Sequence, residues 1–183
     1  QLFDKINLVE NYTVHRQECS YGNSRFDHYF ERGDSKYYVE IKSVPTASFM
    51  ALASDDNVRK KQYKDRSYMN VEDQSQYTRY AVFPDGYKKH KTASVSERAN
   101  KHIEELTKIA KTGDAIPYLC FFVMRNDCCK FQPAWQIDPR YNKLFNDAIS
   151  VGVNIKVFKF NWEFENESLN IYYTNELQIV QHF

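Results

Sequence analysis

The feature of this sequence that most constrains its fold is an uninterrupted apolar run at residues 116–124. The run contains the β-branched residues Ile116 and Val123 and the aromatic residues Phe121 and Phe122. Such a run is typical of a central strand that is buried on both faces of a sheet. At about nine residues it is far shorter than the roughly 20 that a membrane-spanning helix needs, so we expect no membrane partner. The run predicts a sheet that is covered on both sides.

Strand and helix patterns surround this run in an order that indicates a mixed sheet. Alternating or aromatic-rich segments predict strands, and apolar residues at three- or four-residue steps predict helices. Gly113 is a candidate C-cap for the first helix, and Asp138 is a candidate N-cap for the second. The expected strands are 14–20, 25–31, 36–43, 116–124 and 153–160, with an edge hairpin over 162–173, and the expected helices are 92–111 and 139–151. This order predicts an α/β (α+β) fold in which helices flank a mixed β-sheet.

Length and composition favour one domain of a charge-balanced intracellular protein. The 183 residues suit a single domain over 1–183, with a polar insertion at about 45–83. The net charge of +1 excludes a histone-like polycation, so a nucleic-acid site must be a local patch. The four cysteines lack zinc-ligand spacing, and no leader segment is visible. We therefore expect reduced thiols and a cytoplasmic or nuclear location.

The second predicted hairpin brings two carboxylates together. A symmetric turn about Gly33 and Asp34 places Asp27 directly opposite Glu40, with Lys42 two residues further along the same face. Like charges at opposed positions destabilise a sheet unless something neutralises them. Mg²⁺ takes one or two protein carboxylates and keeps several waters, so this pair is a candidate site for Mg²⁺ or Mn²⁺.

The same register assigns the remaining side chains of the hairpin to two faces. Phe26, His28 and Phe30 are expected on the core face, away from the carboxylates. A second interpretation of the carboxylate face stays open. Arg25 and Lys42 would there simply balance the two acids on a solvated surface.

Five ordered motifs resemble those of the sugar fermentation stimulation protein A (SfsA) family. They are Ser24-Arg25-Phe26-Asp27, Tyr38-Val39-Glu40-Ile41-Lys42-Ser43-Val44, Phe83-Pro84-Asp85, Glu97-Arg98-Ala99-Asn100-Lys101-His102-Ile103-Glu104-Glu105-Leu106 and Asp138-Pro139-Arg140-Tyr141. The family resembles the PD-(D/E)xK nuclease superfamily in its catalytic domain. This resemblance implies a restriction-endonuclease-like core in which Asp27, Glu40 and Lys42 form the D…E-x-K signature. Members also resemble DNA-binding proteins.

The resemblance also raises an expectation about partners. The family usually carries an N-terminal oligonucleotide-binding-type barrel, and this chain has no room for one before Tyr21. The contacts of that barrel are therefore expected to be lost or to be supplied by a protein partner.

With the family match, further residues become candidates for the active site. Glu97 and Lys101 are four residues apart and share a helix face, so both are candidate catalytic residues, although a plain surface salt bridge is the alternative. Asp85 is a candidate third metal ligand, or else a turn residue or a helix-adjacent cap. Arg98 and His102 are candidate phosphate contacts, and a packed or surface histidine is the alternative for His102.

Basic residues interleaved with tyrosines form two further clusters in the insertion and after it. Together with Arg25, they are candidate nucleic-acid-binding residues, because phosphate neutralisation and ring stacking combine in nucleic-acid grooves. A solvated loop is the alternative. The candidates are Arg59, Lys60, Lys61, Lys88, Lys89 and Lys91.

These patterns lead to a metal-dependent nuclease that hydrolyses phosphodiester bonds in DNA or RNA. A metal-held water would attack, Asp27 and Glu40 would be the ligands, and Lys42 would be the catalytic cation. Two alternatives remain. One is a non-catalytic nucleic-acid-binding module derived from the nuclease fold, and the other is a protein-interaction domain.

Overall fold

The secondary structure alternates between strands and helices in the order that the sequence indicates, with four further short strands. The computed structural model describes residues 6, 8–48, 79–84, 95–135, 137–165 and 167–181. The elements are β1 (Val14–Tyr21), β2 (Ser24–Arg32), β3 (Ser35–Val44), β4 (Ala47–Ser48), β5 (Tyr80–Phe83), α1 (Glu97–Thr112), β6 (Ile116–Val123), β7 (Lys130–Pro133), α2 (Pro139–Ser150), β8 (Asn154–Glu165), β9 (Ser168–Glu176) and β10 (Gln178–Ile179).

A six-stranded mixed sheet runs through the protein in the order β1-β2-β3-β6-β8-β9. Strands β3, β6 and β8 are parallel, and the outer strands join them in antiparallel pairs. The apolar run forms β6, with Leu119, Cys120 and Phe121 at most 1% exposed. The predicted central strand, buried on both faces, is confirmed. The predicted edge hairpin is also confirmed, as β8 and β9.

Both helices pack on one face of this sheet. Ser96 caps α1 by accepting a hydrogen bond from the Ala99 amide (3.2 Å), so the helix begins at Glu97 and not at the predicted residue 92. Gly113 ends it in the left-handed conformation (φ 73°). Asp138 caps α2, with its side chain accepting from the Tyr141 amide. The helix faces and the sheet share one core, which includes Ile103, Leu106, Phe121 and Phe145.

The other face of the sheet has its own apolar core. Phe30 and Val39 lie there with Phe158, and Leu8 and Val9 pack over them. The sheet is therefore covered on both sides, as the composition of β6 requires.

A second sheet was not predicted. It has four strands in the order β10-β7-β5-β4, and β5 and β7 run parallel. Ala81, Val82 and Phe131 in it are at most 2% exposed. These strands have two to four residues, too few for a periodic pattern to be recognised. β4 and β5 lie at the two ends of the predicted insertion, and residues 49–78 are outside the described part.

Two expectations from composition concern cysteines and membranes. All four cysteines are free thiols in the structure. Among the described helices, none is both long and apolar enough to cross a membrane.

Candidate active site

The β2–β3 hairpin brings Asp27 to the backbone of β3. Its pairing, with His28 opposite Val39 and Tyr29 opposite Tyr38, is the predicted register. The backbone pairing stops at His28, however. Asp27 does not pair with Glu40 through its backbone; instead its Oδ2 accepts a hydrogen bond from the Ile41 amide at 2.7 Å. The carboxylate of Asp27 thus takes the place of the next backbone hydrogen bond between β2 and β3.

The side chains of β2 before and after Asp27 do not follow strict alternation between the two faces of the sheet. Phe26 contacts the rings of Tyr38 (5.7 Å) and His102 (5.9 Å), on the helix side of the sheet. Phe30 packs in the opposite core, so the expectation that both share one face is wrong. The change coincides with an irregularity at Asp27, where backbone pairing with β3 stops and Glu18 on β1, with a φ of 55°, is missing from the β1–β2 pairs.

Glu40 is the most enclosed charged group of the site. Its side chain is 2% exposed, and its Oε1 accepts hydrogen bonds from both Lys42 Nζ and His102 Nδ1. Its Oε2 is buried as well, and no residue in the described part of the chain bonds to it. Because a buried carboxylate oxygen without a donor is unfavourable, this atom is a candidate position for a cation.

The two carboxylates differ in their electrostatic environment. Burial raises the pKa of Asp27, and the charge of Glu40 adds to this, while the Ile41 amide and Lys42 oppose it. Burial would raise the pKa of Glu40 too, but the hydrogen bond from His102 and the charge of Lys42 outweigh burial and lower it. Glu40 is therefore held ionised, whereas the negative charge of Asp27 is disfavoured unless a cation lies nearby.

Tyr141 on α2 brings a further polar group to this region. Its hydroxyl is buried and has no partner among the described residues, and its ring packs against Phe83 (5.3 Å). Burial raises its pKa well above the ordinary value, and the charges of Glu40 and Asp138 add to this. Tyr141 ends the Asp138-Pro139-Arg140-Tyr141 motif, but it is not among the predicted site residues. Its position three residues after the capping Asp138 was the available signal.

The α1 residues that were predicted as catalytic lie around the rim. Glu97 is exposed and lies 3.5 Å from Arg140 on α2, and Lys101 Nζ donates to the Asn23 carbonyl at 2.5 Å. His102 lies about 140° around the helix from Glu97 and is the α1 residue that bonds to Glu40. Its side chain is 7% exposed and packs against Glu40, which agrees with the packed-histidine alternative, and a phosphate contact stays a prediction. Catalytic roles for Glu97 and Lys101 stay predictions.

The predicted nucleic-acid contacts are only partly within the described residues. Arg25 is exposed but forms an ion pair with Glu18 at 2.5 Å, and Arg98 is exposed on α1. The remaining predicted contacts and the third predicted metal ligand lie outside the described residues. They are Arg59, Lys60, Lys61, Lys88, Lys89, Lys91 and Asp85.

The carboxylate set fits a hard divalent ion that keeps much of its water. Within the described ranges, no group of three or more His, Cys, Asp or Glu side chains is arranged to hold a metal. Two carboxylates are the number that Mg²⁺ commonly takes from a protein. Asp27 and Glu40 meet that need, and Glu40 Oε2 has no competing donor among the residues the structure describes.

The sheet order, the flanking helices and the D…E-x-K residues on adjacent strands define a restriction-endonuclease-like α+β protein. Comparison with known proteins is consistent with this class. The chain belongs to the SfsA family, because the model of the "Sugar fermentation stimulation protein RE domain" matches residues 1–55 and 55–166.

Several curated relatives carry the description "Sugar fermentation stimulation protein homolog". The chain is 33% identical to one from Maridesulfovibrio salexigens over 145 residues, which are 78% of this chain and 45% of the relative. It is 30% identical to one from Geotalea daltonii over 156 residues, which are 84% of this chain and 51% of the relative. The chain thus spans about half the length of these relatives.

A solved structure has a similar fold. It is described as Pyrococcus furiosus SfsA in complex with Ca²⁺, and it matches with a TM-score of 0.69 at 23% identity. The match covers 98% of this chain and 61% of the other. This likeness supports the fold that the strand order indicates.

Proposed function

We propose that this protein is a metal-dependent nuclease that hydrolyses phosphodiester bonds in DNA or RNA. The observation that carries the proposal is the state of Glu40. One of its oxygens is held by Lys42 and His102, while the other is buried without a donor among the described residues, beside a second carboxylate whose pKa is raised. A divalent cation would satisfy both carboxylates.

Asp27 and Glu40 would hold the ion, which we expect to be Mg²⁺ or Mn²⁺. When bound, such an ion lowers the pKa of a coordinated water and neutralises phosphate charge. The Ile41 amide fixes Asp27, and His102 and Lys42 fix Glu40, so both carboxylates are oriented before an ion arrives. This preorganisation reduces the cost of binding.

Lys42 is the residue placed to act on the phosphate. Its side chain is 14% exposed, so its ammonium group is shielded but not closed off from solvent. A shielded cation stabilises negative charge that develops on a phosphoryl oxygen more strongly than an exposed cation does. The nucleic-acid backbone itself would be held by the exposed basic residues, such as Arg98 and Arg25.

The divalent ion named with the Pyrococcus furiosus protein supports this choice of cofactor. That protein is described in complex with Ca²⁺, and it shares this fold. Ca²⁺ and Mg²⁺ both prefer carboxylate oxygens. The shared fold and the carboxylate pair together favour a divalent cation here.

Cleavage by purified variants tests the proposal. Wild type, Asp27→Asn, Glu40→Gln and Lys42→Ala are incubated with labelled single- and double-stranded DNA and RNA in Mg²⁺, Mn²⁺ or chelator. Wild type should cut at least one substrate only with metal, and loss of Lys42 should lower the rate by about a hundredfold or more.

The matched controls remove the same groups from an exposed part of α2. Asp147→Asn and Lys143→Ala alter an ion pair on the surface, and both should cut like wild type. Equal cutting by wild type and by the site variants would mean that the activity belongs to a contaminant. Salt-sensitive binding of all nucleic acids without cleavage would favour the non-catalytic module and would contradict the proposal.

A further inference from the structure

The β8–β9 hairpin carries an apolar face that is exposed to solvent. Trp162 pairs with Ile171, and Phe164 pairs with Leu169, so these four side chains lie on one side of the hairpin. They are 38%, 45%, 74% and 56% exposed, respectively. Single exposed apolar residues are ordinary, but a contiguous group of them indicates a binding surface.

This face continues one of the two buried cores. Phe160 lies two residues before Trp162 on β8, is 1% exposed and belongs to the core that includes Phe30 and Val39. The apolar surface therefore extends from the covered part of the sheet to the end of the hairpin. It lies on the side of the sheet opposite the helices and the Glu40 site.

The other side of the hairpin is acidic. Glu163 and Glu165 alternate with the apolar residues of β8, and Glu167 follows in the turn. Glu176, at the end of β9, is paired with Lys156 at 3.1 Å, but the three other glutamates form no ion pair within the described residues. Residues 160–183 contain no Lys or Arg, so the hairpin beyond Phe160 carries no basic side chain of its own.

The hairpin also ends the sheet. β9 is the last strand in the order of the six-stranded sheet, and among the described strands only β8 pairs with it. It has nine residues, of which Glu176 alone is charged. Long edge strands with few charges are templates for a further strand.

We propose that β9 binds an extended segment of another protein, in which apolar residues alternate with Lys or Arg. Added as a strand, such a segment would place its apolar side chains beside Leu169 and Ile171. Its long basic side chains would extend on the other side, towards Glu163 and Glu165. The charge of the surface selects this occupant, because a nucleic acid would bring phosphates to the acids and a second copy would bring carboxylates to carboxylates.

Two synthetic peptides test the proposal on the full chain. In one, valine alternates with lysine, and in the other, valine alternates with glutamate. The lysine peptide should bind with an affinity that falls as salt rises, at least about tenfold more tightly than the glutamate peptide. Titration calorimetry measures both. Equal binding of the two peptides, or no binding of the lysine peptide, would overturn the proposal.

Variants locate the binding to the hairpin. The double change Glu163→Lys and Glu165→Lys should reverse the preference between the peptides, and Phe164→Ser with Leu169→Ser should abolish binding of the lysine peptide. All four side chains are exposed, so the fold should be retained, which circular dichroism checks. Glu10→Lys with Asp34→Lys makes the same change of charge at exposed positions elsewhere and should leave binding unchanged.

Two further measurements separate the other occupants. Sedimentation that shows a dimer in wild type but not in the Phe164 and Leu169 double variant would identify a second copy as the occupant and overturn the proposal. Binding of a single-stranded oligonucleotide that requires Phe164 would do the same in favour of nucleic acid. A monomer that binds the oligonucleotide equally well with and without these side chains supports a protein segment as the occupant.

Discussion

At Glu40 the two oxygens of one carboxylate have different surroundings, and this difference is the basis of the proposed chemistry. Oε1 accepts from both Lys42 and His102, whereas Oε2 is buried without a donor among the described residues. A carboxylate held in this way cannot rotate to share its hydrogen bonds between its oxygens. The donors fix the group, and the remaining lone pairs stay available to a cation.

In the metal-free protein, the Asp27 carboxylate should lower the free energy of unfolding. Its negative charge is disfavoured by burial and by Glu40, so Asp27→Asn should raise the melting temperature at neutral pH in chelator. The asparagine carbonyl can still accept from the Ile41 amide. With Mg²⁺ the order should reverse, because wild type gains stability by mass action and the variant does not. Thermal unfolding measures both, and a variant less stable than wild type in chelator would contradict the expectation.

His102 should act as a positioning residue for Glu40. His102→Phe keeps a ring but removes the Nδ1 donor, so Glu40 loses one of its two partners, and affinity for Mn²⁺ should fall about tenfold to a hundredfold. Calorimetric titration with Mn²⁺ measures the change. Thr107→Ala on the same helix removes a hydrogen bond to the Ile103 carbonyl and should leave Mn²⁺ affinity unchanged. Unchanged affinity in His102→Phe would contradict the role.

The sequence could predict part of this site. Turn chemistry and strand period place Asp27, Glu40 and Lys42 together, because a hairpin with a short turn leaves few registers. The contact of His102 with Glu40 depends on how α1 rotates over the sheet, which the packing of Ile103 and Leu106 decides. The reversal of faces at Phe26 coincides with a break in the strand pairing at Asp27 and Glu18, which strict alternation along β2 does not predict.

At the scale of elements, local capping fixes where the helices begin and end. Ser96, Gly113, Asp138 and Pro139 all lie where their residue types are favoured, so α2 and the end of α1 agree with the sequence. Asp138 does more than cap α2. Its Oδ1 accepts from the Tyr141 amide at 3.1 Å, and its Oδ2 accepts from the Val95 amide at 2.9 Å, so it joins the starts of both helices.

Removal of the Asp138 side chain should therefore lower the free energy of unfolding by more than the loss of one capping hydrogen bond does. The side chain is buried, so Asp138→Ala leaves two amides without their acceptor and should lower the free energy of unfolding by about 2 kcal/mol or more. Ser96→Ala removes one capping bond and should cost about 1 kcal/mol. Urea denaturation of the two variants gives both values. An Asp138 variant that loses no more than the Ser96 variant would contradict the bridging role.

Asp127 connects the two sheets at the end of β6. It accepts from Arg125 at 2.7 and 2.9 Å and from Arg79, which precedes β5. The hydrogen bonds from Arg125 and Arg79 lower its pKa to about 2, although partial burial opposes this. The ionised side chain thus stabilises the link between the loop after β6 and the second sheet.

The lowered pKa of Asp127 determines how its contribution to stability changes with pH. Because the pKa of Asp127 is lower in the folded than in the unfolded state, the stability it provides is present above pH 3.8 and is lost as the pH falls towards about 2. Asp127→Asn should therefore be less stable than wild type at pH 7, by less than about 1 kcal/mol because the group is partly exposed. The two proteins should converge in acid, and urea denaturation at several pH values measures the gap. A gap that widens towards pH 2 would contradict the assignment.

At the scale of the whole molecule, the buried apolar run determined the architecture. A strand with apolar side chains on both faces needs a covered sheet, and the two cores on either side of β6 meet that need. The mixed sheet and its helices were predictable for this reason. The second sheet was not, because short strands such as β5 and β7 are stabilised by parallel pairing between residues far apart in sequence.

The position of a bound divalent ion shows whether Asp27 and Glu40 form a metal site. Crystals of the protein soaked in Mn²⁺ give anomalous scattering that locates the ion, independently of whether a suitable nucleic acid has been found. We expect a peak within coordination distance of the carboxylates of both Asp27 and Glu40, at about 2.0 to 2.3 Å, and no such peak in crystals of the Glu40→Gln variant. A peak elsewhere in wild type, or the same peak in the variant, would contradict this expectation.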